Sequence, residues 1–270
     1  MLIYFVKMHG LGNDFVMLDR ISQNLYLNTA QIQRIADRRL GIGCDQVILI
    51  EPPIQPQSDF YYRIFNADGQ EVEQCGNGAR CAARFVYDSG LVKKTRLLAD
   101  CLAGSVAMRL EKNQLWTVNM GVPAVTEPYV PVETQVLGHD ITWVAVDLGN
   151  PHAVVIVPEA LAQEIPPWTW LQDAILGSGS FPNGVNIGWM RVLDRHNVRL
   201  TVLERGAGET LACGSGACAA VMAGQQLGLL DNPVSVHFSL GHLRISWSGP
   251  QTPLFMTGPA SSMYQGRFKI

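Results

Sequence analysis

Two cysteines each stand directly before a glycine-rich turn and an alanine-rich stretch. Cys75 lies in EQCGNGARCAAR (73–84), and Cys213 lies in LACGSGACAAVM (211–222). A cysteine at the start of a helix is at the positive end of the helix dipole, beside backbone N–H groups that have no partner within the helix. We therefore expect both thiols to be accessible, to have lowered pKa values and to adjoin a binding site for a carboxylate.

Two such thiols on opposite sides of one carbon atom could invert a stereocentre. One would remove the proton next to a carboxylate, and the other would supply a proton to the opposite face. Backbone N–H groups of Gly76-Asn77 and Gly214-Ser215 would stabilise the negative charge that develops on the carboxylate. Pyridoxal phosphate needs a Schiff-base lysine and a phosphate-binding loop, and none of the five lysines stands in such a setting. The sequence thus favours a reaction without cofactor or metal.

The similarity between the two halves extends upstream of the cysteines. Three further pairs of polar residues match, namely Asn13 with Asn150, Gln46 with Asn186, and Asn66 with Glu204. The last pair lies nine residues before each cysteine. A repeat of this length indicates duplication of a domain, because solenoid units are much shorter. We predict an active site in the cleft between two half-molecules, each of which presents one cysteine.

The elements that must position these residues are short strands and two apolar helices. We predict strands at 4–6, 15–18, 46–50, 61–65, 96–99, 105–110, 115–119, 142–147, 153–157, 185–190, 198–203, 234–238, 243–247 and 254–257. We predict helices after Cys75 to near Gly90, at 168–176 and at 216–227. A capping box of Asn28 and Gln31 predicts a further helix that buries Ile32, Ile35 and Leu40 and ends at Gly41.

This pattern predicts an α+β fold of two pseudo-symmetric domains, each a curled antiparallel or mixed β-sheet or barrel around a central apolar helix. The first domain spans residues 1–119 and the second spans 120–259, with MGVP (120–123) as the crossing between them. Residues 260–270 exceed the second repeat, and we expect them to return to the first domain.

The composition is that of a globular protein. It is 47% hydrophobic and 16% charged over 270 residues, and the net charge of −3 gives no basic face for nucleic acid. Before Lys7 stand six apolar residues, too few for a signal-peptide core, so we expect a cytoplasmic protein with no membrane span. Its six cysteines are then free thiols. Cys81 and Cys218 are expected in the core, as are Cys44 and Cys101.

Six motifs together resemble the diaminopimelate epimerase family along nearly the whole chain: KMHGLGNDF, GIGCDQ, CGNGARCAARF, LGNPH, FPNGVN and ERGAGETLACGSGACAA. The resemblance implies a cytoplasmic homodimer that needs no pyridoxal phosphate. It implies interconversion of LL- and meso-2,6-diaminopimelate on the route to lysine and peptidoglycan.

The resemblance also assigns roles to individual residues. Cys75 and Cys213 match the acid and base, while the residues matching those whose backbone holds the reacting carboxylate are Gly76, Asn77, Gly214 and Ser215. Matches to substrate-binding positions, chiefly for the distal amino acid centre, are Asn13, Gln46, Asn66, Asn150, Asn186, Glu204 and Arg205. His152 and Glu204 match positions that tune the thiols. The family often has threonine where Ser215 stands, and residues 44 and 46 also vary.

Two alternatives remain at this point. One is another amino or imino acid racemase with two cysteines, such as proline racemase, although Arg205 favours a substrate with a second carboxylate. The other is a protein of a different class, a thiol redox or zinc-binding protein. Exchange of solvent deuterium into the substrate α-carbon distinguishes these possibilities.

Overall fold

The computed structural model describes residues 1–124, 131–136, 138–161 and 167–270. The chain forms two compact units. The first unit contains Met1–Asn119 and Thr257–Ile270, and the second contains Met120–Met256.

Most of the regular structure is β-strand. The strands are β1 (Leu2–Gly10), β2 (Asn13–Asp19), β3 (Gln46–Glu51), β4 (Phe60–Asn66), β5 (Glu71–Val72), β6 (Arg96–Cys101), β7 (Gly104–Leu110), β8 (Trp116–Asn119), β9 (Pro131–Val136), β10 (His139–Asp147), β11 (Pro151–Ile156), β12 (Asn186–Asp194), β13 (Asn197–Glu204), β14 (Gly208–Thr210), β15 (Val234–Phe238), β16 (Gly241–Ser246), β17 (Phe255–Gly258) and β18 (Ser261–Lys269). The helices are α1 (Thr29–Ala36), α2 (Gly76–Asp88), α3 (Trp168–Leu176) and α4 (Gly214–Gln226), with a 3₁₀ turn at Glu159–Leu161.

The two units pair their strands in the same succession. In the first unit β1 and β2 are antiparallel, β2 and β3 parallel, β3 and β4 antiparallel, β4 and β6 parallel, and β6 and β7 antiparallel. The second unit repeats these relations with β10 to β13, β15 and β16. The predicted duplicated α+β fold is therefore confirmed, with mixed sheets.

The register of the parallel strands matches as well. Phe15 of β2 is opposite Gln46 of β3, and His152 of β11 is opposite Asn186 of β12. Phe15 and His152 thus occupy equivalent positions in the two units. Asn13 and Asn150 each precede these positions by two residues, so Asn13 and Asn150, and likewise Gln46 and Asn186, occupy matching positions in the sheets of their own units.

Each unit encloses one buried helix. Helix α2 contacts β1, β2 and β3 and also β8 and β18, so the sheet of the first unit must curl around the helix. Helix α4 likewise contacts β10 to β13, β15 and β16. Both helices end at a glycine in the left-handed region, Gly90 (φ 74°) and Gly228 (φ 71°), each fifteen residues after the cysteine that begins the helix.

The C-terminal strand belongs to the first unit. β18 runs antiparallel to β1, with Leu2 opposite Lys269 and Tyr4 opposite Arg267. No helix in the described ranges has the length and apolar character needed to cross a membrane.

One predicted helix is shorter than expected. The capping box of Asn28 and Gln31 is present, but α1 ends at Ala36 and Leu40 is 78% exposed. The side chain of Asp37 accepts hydrogen bonds from the backbone N–H groups of Arg39 and Leu40, at 2.7 Å each. This local turn replaces the helical hydrogen bonds, so the prediction for Leu40 was wrong.

Candidate active site

Cys75 is the N-cap residue of α2. Its backbone is extended (φ −141°, ψ 115°), and its Sγ accepts a hydrogen bond from the backbone N–H of Gly78 at 3.4 Å. A Cβ atom at Gly78 would lie 3.0 Å from Cδ1 of Ile48 and 3.4 Å from Cβ of Cys75. Glycine at this position therefore lets the helix start close to β3 and to the thiol.

The amide of Asn13 lies beside the Cys75 thiol. Cys75 Sγ donates to Asn13 Oδ1 at 3.7 Å, and the Nδ2 group of Asn77 donates to the same oxygen at 3.2 Å. Asn13 Nδ2 in turn donates to Asp45 Oδ2 at 2.9 Å. Because a carboxylate only accepts, this last bond fixes which end of the Asn13 amide faces the sulfur.

A network of charges holds Asp45 and its neighbour Asp14. Arg38 donates two hydrogen bonds to Asp14, at 2.8 and 3.0 Å, and a third to Asp45 at 2.7 Å. Lys7, which is 4% exposed, forms an ion pair with Asp14 at 2.6 Å. Burial alone would raise the pKa of Asp14, but the hydrogen bonds from Arg38 and Lys7 lower it to about 2.

Gln46 and Asn66 face each other across β3 and β4. Gln46 Nε2 donates to Asn66 Oδ1 at 2.9 Å. The Oε1 atom of Gln46 is buried and has no hydrogen-bond partner among the described residues. A buried acceptor without a donor is costly, so this oxygen is suited to an N–H donor of a ligand.

Cys213 occupies the equivalent place in the second unit. It is the N-cap of α4 (φ −119°, ψ 118°), and its Sγ accepts from the backbone N–H of Gly216 at 3.4 Å. The hydroxyl of Ser215 lies 3.5 Å from the sulfur. Both cysteines thus have the geometry predicted from the repeated glycine turn.

The expectation of an accessible Cys213 thiol with a lowered pKa was wrong. Cys213 is 5% exposed, and burial raises its pKa well above the usual value. The charge of Glu204 raises it further, whereas hydrogen bonds from Ser215 and from the Gly216 N–H act in the opposite direction. Burial and a nearby carboxylate together outweigh the helix terminus, so the resting Cys213 side chain is a thiol.

A polar chain connects His152 to Ser215. The Nδ2 group of Asn150 donates to Ser215 Oγ at 3.3 Å, and the Nε2 atom of His152 lies 3.2 Å from Asn150 Oδ1. Since the Asn150 oxygen can only accept, His152 carries its proton on Nε2 in this arrangement. Burial lowers the pKa of His152 to about 4, so the ring is neutral at physiological pH.

The side chain of Asn186 hydrogen-bonds to the backbone of two other segments, at Pro151 and at Arg205. Its Nδ2 donates to the backbone carbonyl of Pro151 at 3.1 Å, and its Oδ1 accepts from the backbone N–H of Arg205 at 2.9 Å. The exposed Arg205 side chain donates to the carbonyl of Asn183 at 3.1 Å. Thr210 donates to Glu204 Oε1 at 2.6 Å, which orients that carboxylate.

Within the first unit the predicted residues Asn13, Asn77 and Cys75 contact one another, and Gln46 contacts Asn66. Within the second unit Asn150, His152, Ser215 and Cys213 form one chain of contacts, and Asn186 is bonded to Arg205. Asp45, Arg80 and Thr210 were not among the predicted site residues, although they hydrogen-bond to Asn13, Asn77 and Glu204 respectively and hold them in place. Arg80 is three residues after Asn77, and this i, i+3 spacing was the available signal.

The other four cysteines lie in the interior. Cys44, Cys81, Cys101 and Cys218 are all buried, as predicted. Burial raises the pKa of both Cys44 and Cys81 to about 12, so these side chains are poor nucleophiles. In the part of the chain that the structure describes, no cluster of three or more His, Cys, Asp or Glu side chains could hold a metal ion.

Comparison with known proteins identifies the family. The diaminopimelate epimerase family model matches residues 5–126 and 144–263. The diaminopimelate epimerase of Acinetobacter baylyi (strain ADP1) is 48% identical over 280 aligned residues, covering 100% of this chain and 98% of that protein. The enzyme of Acinetobacter baumannii (strain AYE) is 47% identical with the same coverage.

Two solved structures share the fold at low sequence identity. A PhzF-family phenazine biosynthesis protein from Bacillus anthracis superimposes with a TM-score of 0.74 at 14% identity, covering 100% of both chains. A hydroxyproline epimerase from Agrobacterium vitis gives a TM-score of 0.72 at 16% identity, covering 98% of this chain and 92% of that one. With its family model matched over most of its length and relatives nearly half identical throughout, the chain belongs to the diaminopimelate epimerase family.

Proposed function

We propose that the protein interconverts LL- and meso-2,6-diaminopimelate by proton transfer between the α-carbon and two cysteine side chains, without pyridoxal phosphate. The observation that carries the proposal is the equivalent placement of Cys75 and Cys213, each as the N-cap of the buried helix of one unit. Family membership supplies the substrate.

The reaction needs one thiolate and one thiol. When Cys75 is the base, its thiolate takes the α-proton, and the C–H electron pair passes into the carbanion and its carboxylate. Cys213 then donates its S–H proton to the opposite face of the carbon and becomes a thiolate. The reverse reaction exchanges these roles. The raised pKa of Cys213 supports its role as the proton donor at the start of the cycle.

Backbone N–H groups at the starts of α2 and α4 stabilise the charge that develops on the α-carboxylate. The first-turn N–H groups of a helix have no intrahelical partners and lie at the positive end of the dipole. Gly76, Asn77 and Gly214 are buried, and donors in a water-poor site stabilise an anion more strongly than donors in water. We assign Gly76, Asn77, Gly214 and Ser215 to this role.

The remaining polar residues recognise the distal amino acid centre. The buried Gln46 Oε1 without a partner supports binding of an ammonium group, and the exposed Arg205 guanidinium supports binding of a carboxylate. The other residues that we assign to the substrate are Asn13, Asn66, Asn150, Asn186 and Glu204. His152 acts indirectly through its contact with Asn150.

We also propose a cytoplasmic homodimer. Adjacent strands β1 and β18 expose apolar side chains, with Leu2, Tyr4, Met263 and Tyr264 each at least half exposed. Such a patch supports a protein partner, and a second copy of this chain is the partner that the family suggests. Sedimentation of the purified protein measures whether it is a monomer or a dimer.

The decisive experiment is incubation of the protein with LL-diaminopimelate in deuterated buffer without added cofactor. We expect deuterium at one α-carbon and accumulation of the meso isomer. A parallel incubation contains proline in place of diaminopimelate. Exchange into proline but not into diaminopimelate would instead show a racemase with a smaller substrate. No exchange into either compound would contradict the proposed function.

A further inference from the structure

The most deeply buried charged side chain near the first thiol is Arg80, which has no solvent exposure. It lies on α2, and its guanidinium turns back to the start of the helix. Nη2 donates to Asn77 Oδ1 at 2.7 Å, Nη1 donates to the Gly76 carbonyl at 3.3 Å, and Nε donates to the Pro259 carbonyl at 3.2 Å. Two of these three hydrogen bonds hold the first turn of α2, and the third connects the same planar guanidinium to Pro259.

The bond from Arg80 decides the orientation of two amides in succession. Because a guanidinium only donates, the oxygen of Asn77 must face Arg80 and its Nδ2 must face Asn13. Asp45 fixes Asn13 from the other end. The Asn13 oxygen is therefore directed at Cys75 by an acidic group on one side and a cationic group on the other.

Packing leaves Arg80 little freedom to move. A Cβ atom at Gly10, the last residue of β1, would lie 3.1 Å from Arg80 Nη2 and 3.4 Å from Cβ of Asn77. The end of β1 thus closes directly over the contact between Arg80 and Asn77. Close packing on this side keeps the guanidinium on the first turn.

The second half of the chain has no arginine at the matching position. The residue five positions after Cys213 is Cys218, and the residue two positions after it is Ser215 rather than asparagine. A hydroxyl group rotates freely and needs no second residue to choose between two orientations. The hydrogen bonds that lead from Arg80 through Asn77 and Asn13 therefore reach only one of the two cysteines, Cys75.

We propose that Arg80 is a positioning residue for Cys75, acting through Asn77 and Asn13, and that it has no such role for Cys213. The proposal rests on the proposed function, in which Cys75 exchanges a proton with the substrate. A purely structural Arg80 would stabilise the whole unit and would leave the chemistry of Cys75 unchanged in any variant that folds.

The test compares Arg80→Met, Arg80→Lys and Arg84→Met with the wild-type protein. Methionine has a side chain of similar length but lacks both the positive charge and the N–H donors of the guanidinium. Lysine keeps the positive charge but cannot form the same set of hydrogen bonds from one planar group. Arg84 is the matched control, because it lies on the same helix and pairs with Asp88 at 2.6 Å, away from the first turn. Circular dichroism and thermal unfolding establish which variants fold.

Two measurements follow on the folded variants. Steady-state epimerisation should show kcat lower by on the order of 100-fold in Arg80→Met with KM changed less than about threefold, since misplacing a reacting group by about 1 Å has that effect. Iodoacetamide labelling at neutral pH, resolved by peptide mass spectrometry, should change in rate by about tenfold at Cys75, because Asn13 Oδ1 is no longer held at the sulfur, and should stay within about twofold at Cys213. Arg84→Met should match the wild type in both.

Wild-type kcat and unchanged Cys75 labelling in folded Arg80→Met would overturn the proposal, as would an equal change in labelling rate at both cysteines. If Arg80→Met does not fold, Arg80→Lys decides: reduced kcat with a change in labelling rate confined to Cys75 supports the proposal, and wild-type behaviour overturns it. New labelling of the buried Cys81 and Cys218 would mark general loosening and count against a positioning role. The labelling arm needs no substrate, so it tests Arg80 even if the wild-type protein fails to epimerise diaminopimelate.

Discussion

At the scale of single residues, the two N-cap cysteines have different surroundings despite their matched backbone. Cys75 is bonded to an amide oxygen, and Cys213 has a hydroxyl beside it and a carboxylate nearby. A base and an acid that exchange roles must both lose and regain a proton. Different surroundings allow one thiol to be ionised while the other is protonated.

Replacing either cysteine should stop the reaction. We expect Cys75→Ala and Cys213→Ala to abolish epimerisation in the assay with LL-diaminopimelate, because each removes one of the two proton carriers. Cys218→Ala is the control, because the Cys218 side chain lies on α4 and is buried among apolar residues. This variant should retain most of the activity. Turnover at the wild-type rate in either single variant would exclude the mechanism with two bases.

Arg205→Ala should weaken substrate binding much more than folding. A hydrogen bond to a charged group contributes about 1.5–3 kcal/mol, so KM should rise on the order of 10- to 100-fold. The exposed side chain packs little, and the melting temperature should stay near that of the wild type. Arg199, on the exposed face of β13, is a control for loss of a positive charge. An unaltered KM would remove Arg205 from the site.

At the scale of elements, the first turns of α2 and α4 require glycine for different reasons. A Cβ at Gly216 would lie 3.3 Å from Cys213 Cβ and 3.4 Å from its Sγ. At Gly78 the closest neighbour is Cδ1 of Ile48, the flexible end of a side chain. The added methyl group would therefore approach the Cys213 thiol itself in α4, whereas in α2 it would press on the movable end of Ile48 and approach Cys75 only at Cβ, 3.4 Å away.

This difference predicts a larger loss of activity in Gly216→Ala than in Gly78→Ala. Alanine favours the helix by up to about 1 kcal/mol relative to glycine, so both variants should fold. Displacement of Cys213 should lower kcat by at least about tenfold, and Gly78→Ala should have the smaller effect. Thermal unfolding and steady-state kinetics check both statements, and equal kcat values in the two variants would refute the comparison.

The sequence predicted those parts of the fold that depend on local patterns. The glycine turn after each cysteine and the alanine-rich run that follows predicted α2 and α4, and alternating apolar residues predicted most strands. The short β5 and β14 and the strand β9 were not predicted. Two or three residues carry no clear period, and in β9 the polar residues Glu133, Thr134 and Gln135 stand side by side instead of alternating with apolar ones.

Features that depend on tertiary contacts were missed. One local feature was missed as well: the Asp37 side chain binds the backbone N–H groups of Arg39 and Leu40 and ends α1, whereas the apolar period alone extended the helix to Leu40. The pKa of Cys213 follows from burial and from Glu204, which is nine residues away in the chain. The raised pKa of Cys213 needs positions in space that the sequence pattern does not contain.

At the scale of the whole molecule, His152 links global stability to pH. Its pKa falls from an ordinary 6.5 to about 4 in the folded protein because the ring is buried. The unfolded chain therefore binds a proton that the folded chain excludes. The contribution of neutral His152 to the free energy of unfolding should be fully present above pH 6.5. It should be lost as the pH falls from 6.5 towards 4, which lowers the free energy of unfolding by on the order of 3 kcal/mol.

Urea unfolding at a series of pH values tests this link. In His152→Gln, which cannot titrate and can still donate to Asn150, the free energy of unfolding should decrease less over that range. His196→Gln, at an exposed histidine, should keep the wild-type dependence. A slope in His152→Gln equal to that of the wild type would show that other groups cause the acid sensitivity.

The pairing of β1 with β18 also affects how the protein can be made in the cell. During synthesis the ribosome releases β1 before β18, with the entire second unit between them. Until β18 has been synthesised, one side of β1 has no neighbouring strand to satisfy its hydrogen bonds. The half that is translated first is therefore the half that finishes folding last, and a nascent chain stalled before residue 261 should carry an exposed strand that recruits chaperones.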